Sequence, residues 1–250
     1  VALGTAHAVY SAEDDLSGEV IIVFADTIFD SYEKVSVEGA DSVIWLKEVE
    51  NPSRFGVAVH EGETITDFVE KPSEPISNLA IIGVYYFKEA THLKNEIRYL
   101  LDHNIKGHGN EFQLTDALDR LLKDGKTFKK ATVDEWLDCG TLPAWLDTTG
   151  QILEKEQHEY NPDKYPDSIL QPPLYIGDGV EISGSKIGPN VSIESGSIIK
   201  DCSISNTIIQ HNATIRACDL KESTIGNHIV IEGHKGMIHL GDHSVVKANR

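Results

Sequence analysis

The sequence predicts an α/β domain with a mixed sheet, a short linker and a parallel β-helix. Three observations carry this prediction. Apolar runs of strand length alternate with helical patterns up to about residue 157. Four prolines among polar residues then indicate a linker over 158–173. From 174 to 250, isoleucines recur at short, regular intervals, as in a repeat protein. We therefore place the two domains at 1–157 and 174–250.

Short apolar runs bounded by turn residues indicate the strands of the first domain. The run over 19–24 is continuous, as expected of a central strand that is buried on both faces. Segments 55–59 and 64–69 flank Gly62 and predict a hairpin. Further strands are predicted over 42–49, 79–87 and 127–133.

Helices are predicted between these strands. Apolar residues at helical spacing give one amphipathic face from Leu93 to Leu101 and another from Leu114 to Leu122. Thr141 is a predicted N-cap, with Pro143 in the first turn, for a helix that runs to about residue 157.

The last third carries a hexapeptide repeat. Apolar residues recur every five or six positions, a small or β-branched residue stands two positions before most of them, and glycine turns fall between. This pattern predicts a parallel β-helix with about three complete coils and a partial fourth. Cys202 and Cys218 are expected to stack as reduced thiols inside adjacent coils. The repeated positions are Ile176, Ile182, Ile187, Ile193, Ile199, Ile204, Ile209, Ile215, Leu220, Ile225 and Ile231.

Composition narrows the class of protein. Forty acidic against 22 basic residues give a net charge of −18, which argues against a nucleic-acid or anionic-membrane partner. No apolar run approaches the roughly 18 residues of a membrane helix. Three cysteines without regular spacing argue against a disulfide framework and favour a cytoplasmic protein.

Two aspartates are candidate metal ligands. Asp26 closes the apolar run that begins at Val20, so it is expected at the carboxyl edge of the sheet, where α/β proteins bind ligands. Asp138 closes a second run and precedes Gly140. Either residue alone would also suit a turn or a helix cap. Two carboxylates from separate strands, however, are what Mg²⁺ prefers when phosphate and water complete its shell.

Other polar positions have two interpretations each. Glu70 and Lys71 form a solvated pair, or bind a sugar hydroxyl and a phosphate respectively. Gly4 and Thr5 form a turn, or hydrogen-bond a base. The β-helix histidines occupy exposed turns, or include the general base of an acyltransferase. They are His211, His228, His234, His239 and His243.

Seven segments stand in the order seen in one enzyme family. They are Leu3-Gly-Thr-Ala-His-Ala8, Phe24-Ala-Asp26, Asn51-Pro-Ser-Arg-Phe-Gly-Val57, Glu70-Lys-Pro72, Ser77-Asn-Leu-Ala80, Asn110-Glu-Phe-Gln-Leu-Thr-Asp116 and Trp136-Leu-Asp-Cys-Gly140. Over residues 1–157 the chain thus resembles the sugar-1-phosphate nucleotidyltransferases. The resemblance implies a Rossmann-like nucleotidyltransferase domain followed by a left-handed β-helix, a frequent appendage in that family.

The resemblance also implies a reaction and its residues. A sugar-1-phosphate attacks the α-phosphate of a nucleoside triphosphate (UTP or dTTP), giving an NDP-sugar and pyrophosphate. Asp26 and Asp138 are expected to bind Mg²⁺. Lys71 is expected to bind the sugar phosphate. The other implied substrate contacts are Gly4 and Thr5 for the base, and Gly56, Glu70 and Asn78 for the sugar. Self-association through the β-helix is expected as well.

The chain departs from the family pattern in two places. Family members begin with a strand, a Gly-rich loop carrying an Arg, and a Pro-Lys segment, and the 250 residues contain none of these. We therefore expect an N-terminally truncated chain that is inactive for lack of the phosphate-binding loop. Ala25 also stands where the family usually has Gly. Two alternatives stay open: a non-catalytic regulatory or assembly subunit of the same fold, and a β-helix acyltransferase.

Overall fold

A computed structural model describes residues 3–32 and 34–247. The chain forms two compact units, Val1–Leu137 and Asp138–Arg250, which we describe separately. This division lies about twenty residues before the predicted boundary at 157. The reason is that the helix over Leu142–Glu156 packs against strands of the β-helix and so belongs to the second unit.

The first unit is a mixed six-stranded sheet with helices. Its sheet order is β1-β6-β3-β7-β5-β4. Strands β3 and β7 form a parallel pair, and the other neighbouring strands pair antiparallel. Strands β2 and β8 pair separately. The strands are β1 (Val20–Val23), β2 (Thr27–Asp30), β3 (Ser42–Glu48), β4 (Gly56–Glu61), β5 (Thr64–Glu70), β6 (Leu79–Phe87), β7 (Phe128–Thr132) and β8 (Glu135–Asp138). The helices are α1 (Thr5–Tyr10), α2 (Ala90–Asp102) and α3 (Leu114–Lys123).

The core of this unit lies where α2 and α3 pack on the sheet. Leu93 and Ile97 from α2 and Leu118 from α3 are fully buried, as their helical spacing predicts. Phe68 and Phe128 meet edge to face across neighbouring strands, with ring centroids 5.2 Å apart. The sheet edge that carries the candidate site therefore rests on a packed core.

The position of β1 corrects one expectation. A continuous apolar run predicted a central strand buried on both faces, but β1 lies at the edge of the sheet beside β6. Burial alternates along it, with Ile21 64% and Val23 53% exposed. Apolar side chains on both faces do not bury a strand that has only one neighbour, so the run alone could not place it.

The second unit is a parallel β-helix with one helix, α4 (Leu142–Glu156). Thr141 caps α4, as predicted, because its Oγ1 accepts a hydrogen bond from the backbone N–H of Ala144 at 3.3 Å. The strands are β9 (Ile169–Leu170), β10 (Leu174–Ile176), β11 (Glu181–Ser183), β12 (Lys186–Ile187), β13 (Val191–Ile193), β14 (Ile198–Lys200), β15 (Ser203–Ile209), β16 (Thr214–Arg216), β17 (Asp219–Ile225), β18 (Val230–Glu232), β19 (Lys235–Gly236), β20 (His239–Leu240) and β21 (Val245–Lys247).

The β-helix has about five turns, more than the three complete coils and partial fourth that the repeat predicted. The strand order β11-β14-β16-β18-β21 shows one strand per turn on one face. Two features of the chain explain the shortfall. Strand β9 lies inside the predicted linker yet pairs with β12. The last turn is one residue shorter, since Thr224 pairs with His239 while Thr207 pairs with Ser223.

The predicted interior of the β-helix is confirmed. Ile199 and Ile215 are strand partners, and Ile182 and Ile231 extend the same column at either end. Cys202 and Cys218 are buried free thiols that directly precede paired residues of β15 and β17, so they lie on adjacent turns. Across residues 3–32 and 34–247, no helix is long and apolar enough to cross a membrane.

Candidate functional site

Gly56 and Glu70 face each other across the antiparallel β4–β5 ladder. The side chain of Glu70 is only 15% exposed. A Cβ atom at position 56 would lie 2.9 Å from Oε2 of Glu70, which is closer than real Cβ contacts. Glycine at position 56 therefore lets this carboxylate lie directly against β4. Two of the three predicted sugar contacts are brought together here.

A third residue joins this pair from α3. The hydroxyl of Thr115 donates a hydrogen bond to Oε2 of Glu70 at 2.6 Å, and Thr115 is 8% exposed. The sequence contained the Asn110–Asp116 motif, but no residue pattern assigned Thr115 a role. A threonine in the first turn of a helix is ordinary, so only the fold shows that it reaches the end of β5.

Lys71 lies beside the same carboxylate. Its Nζ is 3.9 Å from Oε1 of Glu70, and its side chain is 39% exposed. Lys71 has a φ of 44°, in the left-handed region that residues with a Cβ rarely adopt. Its backbone N–H donates to the carbonyl of Phe55 at 3.0 Å, which holds this conformation in place. An ammonium group and a carboxylate thus stand together at the mouth of the site.

Tyr85 links Glu70 to Asp26 electrostatically. Burial raises the pKa of the Tyr85 phenol above its usual range, and the negative charges of Glu70 and then Asp26 raise it further. Tyr85 is 5% exposed, and its ring lies 5.6 Å from that of Phe24. The phenol stays protonated at neutral pH. Both carboxylates therefore influence the same phenol of β6.

Gly4 and Thr5 are docked against the segment before α3. Oγ1 of Thr5 accepts from the N–H of Leu114 at 2.9 Å and donates to Gln113 at 3.2 Å. Gly4 has a φ of 110°, and a Cβ there would lie 2.8 Å from the backbone nitrogen of Phe112, so the position requires glycine. Thr5 thus stabilises the start of the helix that carries Thr115.

Thr5 and Asp26 also line one open cavity of about 810 Å³. Apolar side chains of β1 and α1 form its walls, including Val9, Ile22 and Phe24. The predicted base contact and a predicted metal ligand therefore share a single concave surface of the first unit.

Asn78, the remaining predicted sugar contact, lies apart from Glu70. Its amide donates to Oε1 of Glu48 at 2.6 Å. Because Val57 pairs with Ala80, Asn78 stands three residues, or about 10 Å, along the ladder from the position opposite Gly56. The structure does not bring Asn78 to the Gly56–Glu70 pair, and its sugar contact stays a prediction.

Asp138 closes β8 and turns into α4. Its Oδ1 accepts from the N–H of Gly140 at 2.9 Å, and its carbonyl accepts from Oγ1 of Thr148 at 2.7 Å. Asp26 belongs to the first unit and Asp138 to the second, so their magnesium pairing stays a prediction. Within the described part of the chain, no three His, Cys, Asp or Glu residues form a group suited to a metal ion.

Four of the five β-helix histidines are exposed, in line with the simpler interpretation of these residues. The rings of His228 and His243 stack with centroids 5.1 Å apart. Nδ1 of His239 lies 2.9 Å from the hydroxyl of Thr224. None of these contacts forms the acid–base arrangement of an acyltransferase among residues that the structure describes.

Three relatives illustrate the proteins that this chain resembles in sequence. It is 26% identical over 273 residues to a glucose-1-phosphate thymidylyltransferase of Streptomyces griseus, covering 97% of this chain and 75% of the relative. It is 30% identical to the bifunctional protein GlmU of Methanococcus aeolicus over 72% of this chain and 43% of the relative. It is 32% identical to the UTP–glucose-1-phosphate uridylyltransferase AglF of Haloferax volcanii over 61% and 64%, respectively.

The structural comparison agrees with the sequence comparisons. A UDP-glucose pyrophosphorylase solved with UDP-glucose matches with a TM-score of 0.51 and 26% identity, over 62% of this chain and 64% of that one. The chain thus spans less than two thirds of several relatives. Residues 1–155, more than half of the sequence, match the family model described as nucleotidyl transferase. The chain therefore belongs to the nucleotidyl transferase family.

Proposed function

We propose that this protein acts in the transfer of a nucleotidyl group from UTP or dTTP to a sugar-1-phosphate. An oxygen of the sugar phosphate attacks the α-phosphorus, the bond from that phosphorus to the β-phosphate oxygen breaks, and pyrophosphate leaves. The single observation that best supports this proposal is the Gly56–Glu70–Thr115 arrangement with Lys71 beside it. We call these four residues the Glu70 site.

The Glu70 site has the chemistry that a sugar phosphate requires. A carboxylate accepts hydrogen bonds from sugar hydroxyls, and the glycine opposite it lets the carboxylate lie directly against β4. The ammonium of Lys71 is a point charge suited to the phosphate. Nucleotidyl transfer asks the protein mainly for positioning and for neutralisation of charge. The Glu70 site provides the positioning of one substrate, the sugar phosphate.

A cation must supply much of the charge neutralisation. The chain carries a net charge of −18, and the charges of Asp26 and Glu70 act together on Tyr85. A triphosphate near Asp26 would be repelled without a counterion. Asp26 and Asp138 offer hard carboxylate oxygens, which fit Mg²⁺. When bound, that ion would neutralise phosphate charge, while Lys71 holds the sugar phosphate and Glu70 the ring.

The relatives inform the choice of substrates. Their names include glucose-1-phosphate thymidylyltransferase and UTP–glucose-1-phosphate uridylyltransferase. We propose glucose-1-phosphate as the first sugar phosphate to test, and UTP and dTTP as the first nucleotides. We further propose that the enzyme works in the cytoplasm, as expected for a pathway that uses nucleotides.

Binding of sugar phosphate tests this function without requiring turnover. Isothermal titration of the 250-residue chain with α-D-glucose-1-phosphate should show saturable binding. Glu70→Gln should weaken it at least tenfold, because a hydrogen bond to a charged group is lost. The matched control is Glu61→Gln, an exposed residue of β4 that should change nothing. No saturable binding by the unaltered chain would contradict the proposed function.

A further inference from the structure

We propose that Thr115 is a positioning residue that fixes the carboxylate plane of Glu70 and so determines recognition of the sugar hydroxyls. This inference rests on the proposed function of the Glu70 site. No family motif or comparison assigns Thr115 a role in it.

The contact between Thr115 and Glu70 is short and protected from water. The hydroxyl of Thr115 has one proton, and the Glu70 carboxylate can only accept, so Thr115 is the donor at 2.6 Å. Thr115 is 8% exposed and the side chain of Glu70 is 15% exposed. A charge-assisted hydrogen bond with little competing water is stronger than a neutral one.

The geometry leaves one carboxylate oxygen for a ligand. Oε2 of Glu70 is held by Thr115, while Oε1 faces the more exposed Lys71 at 3.9 Å. A Cβ at Gly56 would lie 3.0 Å from the Thr115 hydroxyl as well as 2.9 Å from Oε2. Glycine at position 56 therefore admits the carboxylate and the Thr115 hydroxyl in this arrangement, in which the rotation of the carboxylate is fixed. A sugar hydroxyl that reaches Oε1 would meet a preoriented acceptor.

Thr115 is itself firmly placed. It follows Leu114, whose N–H donates to the hydroxyl of Thr5 at 2.9 Å. The next residue, Asp116, packs against Gly107, and its Oδ2 is buried without a hydrogen-bond partner among the residues described. The acid of the motif thus makes no hydrogen bond to Glu70, and Thr115 supplies the direct contact.

Replacing the hydroxyl separates positioning from folding. Thr115→Val keeps the shape and removes the donor, whereas Thr115→Ser keeps the donor. We expect Thr115→Val to weaken glucose-1-phosphate binding roughly tenfold, as loss of a hydrogen bond to a charged group does. Thr115→Ser should restore most of the affinity. The control is Thr207→Val, a buried threonine whose hydroxyl donates to the Ser205 carbonyl in the β-helix.

Hydroxyl discrimination is the readout that a purely structural role would not change. Two ratios of dissociation constants measure this discrimination: that of 2-deoxyglucose-1-phosphate to glucose-1-phosphate, and that of the 3-deoxy analogue to glucose-1-phosphate. In the unaltered chain, at least one ratio should exceed one. That ratio should fall toward one in Thr115→Val. Circular dichroism and thermal midpoints should show that the variants fold.

The outcomes are distinguishable. If the unaltered chain binds glucose-1-phosphate and Thr115→Val binds it equally well, the role of Thr115 is overturned while the proposed function stands. If Thr115→Val weakens binding but retains full discrimination, or Thr115→Ser fails to restore affinity, Thr115 is structural and the inference is wrong. If the unaltered chain binds no sugar phosphate, the proposed function itself is contradicted, and this inference falls with it.

Discussion

The residues of the Glu70 site differ in how far the sequence alone predicts them. Glycine is needed at position 56 because its neighbour across the ladder is a buried carboxylate. Gly56, Glu70 and Lys71 are predictable from resemblance to a family, and the fold brings these three together. Thr115 is not predictable in this way, because nothing in the sequence shows which residue of α3 reaches the end of β5.

Gly56→Ala should abolish detectable binding of glucose-1-phosphate. Its methyl group would lie 2.9 Å from Oε2 of Glu70 and 3.0 Å from the Thr115 hydroxyl, so the carboxylate must move. Isothermal titration measures the effect. Gly241→Ala is the matched control, because no atom lies within 4 Å of a Cβ built there. Equal affinity in Gly56→Ala and the unaltered chain would show that the position of the Glu70 carboxylate does not matter for binding.

Asp116 gives a pH-dependent prediction. Burial raises the pKa of this carboxyl, and the charges of Glu70 and Asp119 raise it further. A raised folded-state pKa contributes stability that is present below the unfolded value, about 3.9, and is lost as pH rises through the folded value. The ionised side chain is therefore unfavourable at neutral pH. The charges of Glu70 and Asp119 thus contribute to the pH dependence of the folding stability.

Asp116→Asn should accordingly raise the thermal midpoint at pH 7, and the gain should shrink as pH falls through the raised folded-state pKa and vanish near the unfolded value, about 3.9. Thermal scans at constant ionic strength from pH 3.5 to 7.5 measure this dependence. Asp119→Asn, on the same helix, is a comparison variant that removes one of the charges acting on Asp116. A midpoint difference independent of pH would exclude ionisation of Asp116 as its cause.

Sequence periodicity predicted the type of each secondary-structure element better than it predicted how the element is buried. The patterns behind α2, α3 and α4 each gave a helix with the predicted apolar face or cap. The run at 19–24 gave a strand, but an edge strand, because apolar content does not reveal how many neighbours a strand has. The β-helix repeat predicted the inward column correctly. It missed β9, whose segment was interpreted as a linker, and the last turn, where the spacing shortens by one residue.

Ile215→Ala should destabilise the second unit by about 3 kcal/mol, the usual cost of a cavity in a packed core. Ile215 is fully buried between Ile199 and Ile231 of neighbouring turns. Urea unfolding followed by circular dichroism measures the change. Ile169→Ala, at a position 62% exposed, should cost under about 0.5 kcal/mol. Comparable losses for both variants would contradict the assigned interior.

For the whole molecule, the comparisons and the fold describe a nucleotidyl transferase domain joined to a β-helix. The two predicted magnesium ligands fall in different compact units, and their pairing at one metal ion stays a prediction. The predicted self-association depends on the open end of the β-helix. Strand β21 pairs with β18, and among the described strands none covers its other edge.

We expect the protein to self-associate through this end of the β-helix, because exposed strand edges are usually covered or paired. Light scattering after size exclusion at micromolar concentration should give a mass above 27.6 kDa. Val245→Lys, at a β21 position that is 63% exposed, should shift the distribution toward that mass. A monomer for the unaltered protein would remove this prediction.

The central claim is that Gly56, Glu70, Lys71 and Thr115 form a sugar-phosphate site, and a crystal structure with bound α-D-glucose-1-phosphate tests it most directly. We predict a sugar hydroxyl within hydrogen-bond distance of Oε1 of Glu70, the Thr115 hydroxyl still on Oε2, and the phosphate on Nζ of Lys71. Glucose-1-phosphate bound elsewhere on the chain, with the Glu70 carboxylate free of ligand, would contradict it.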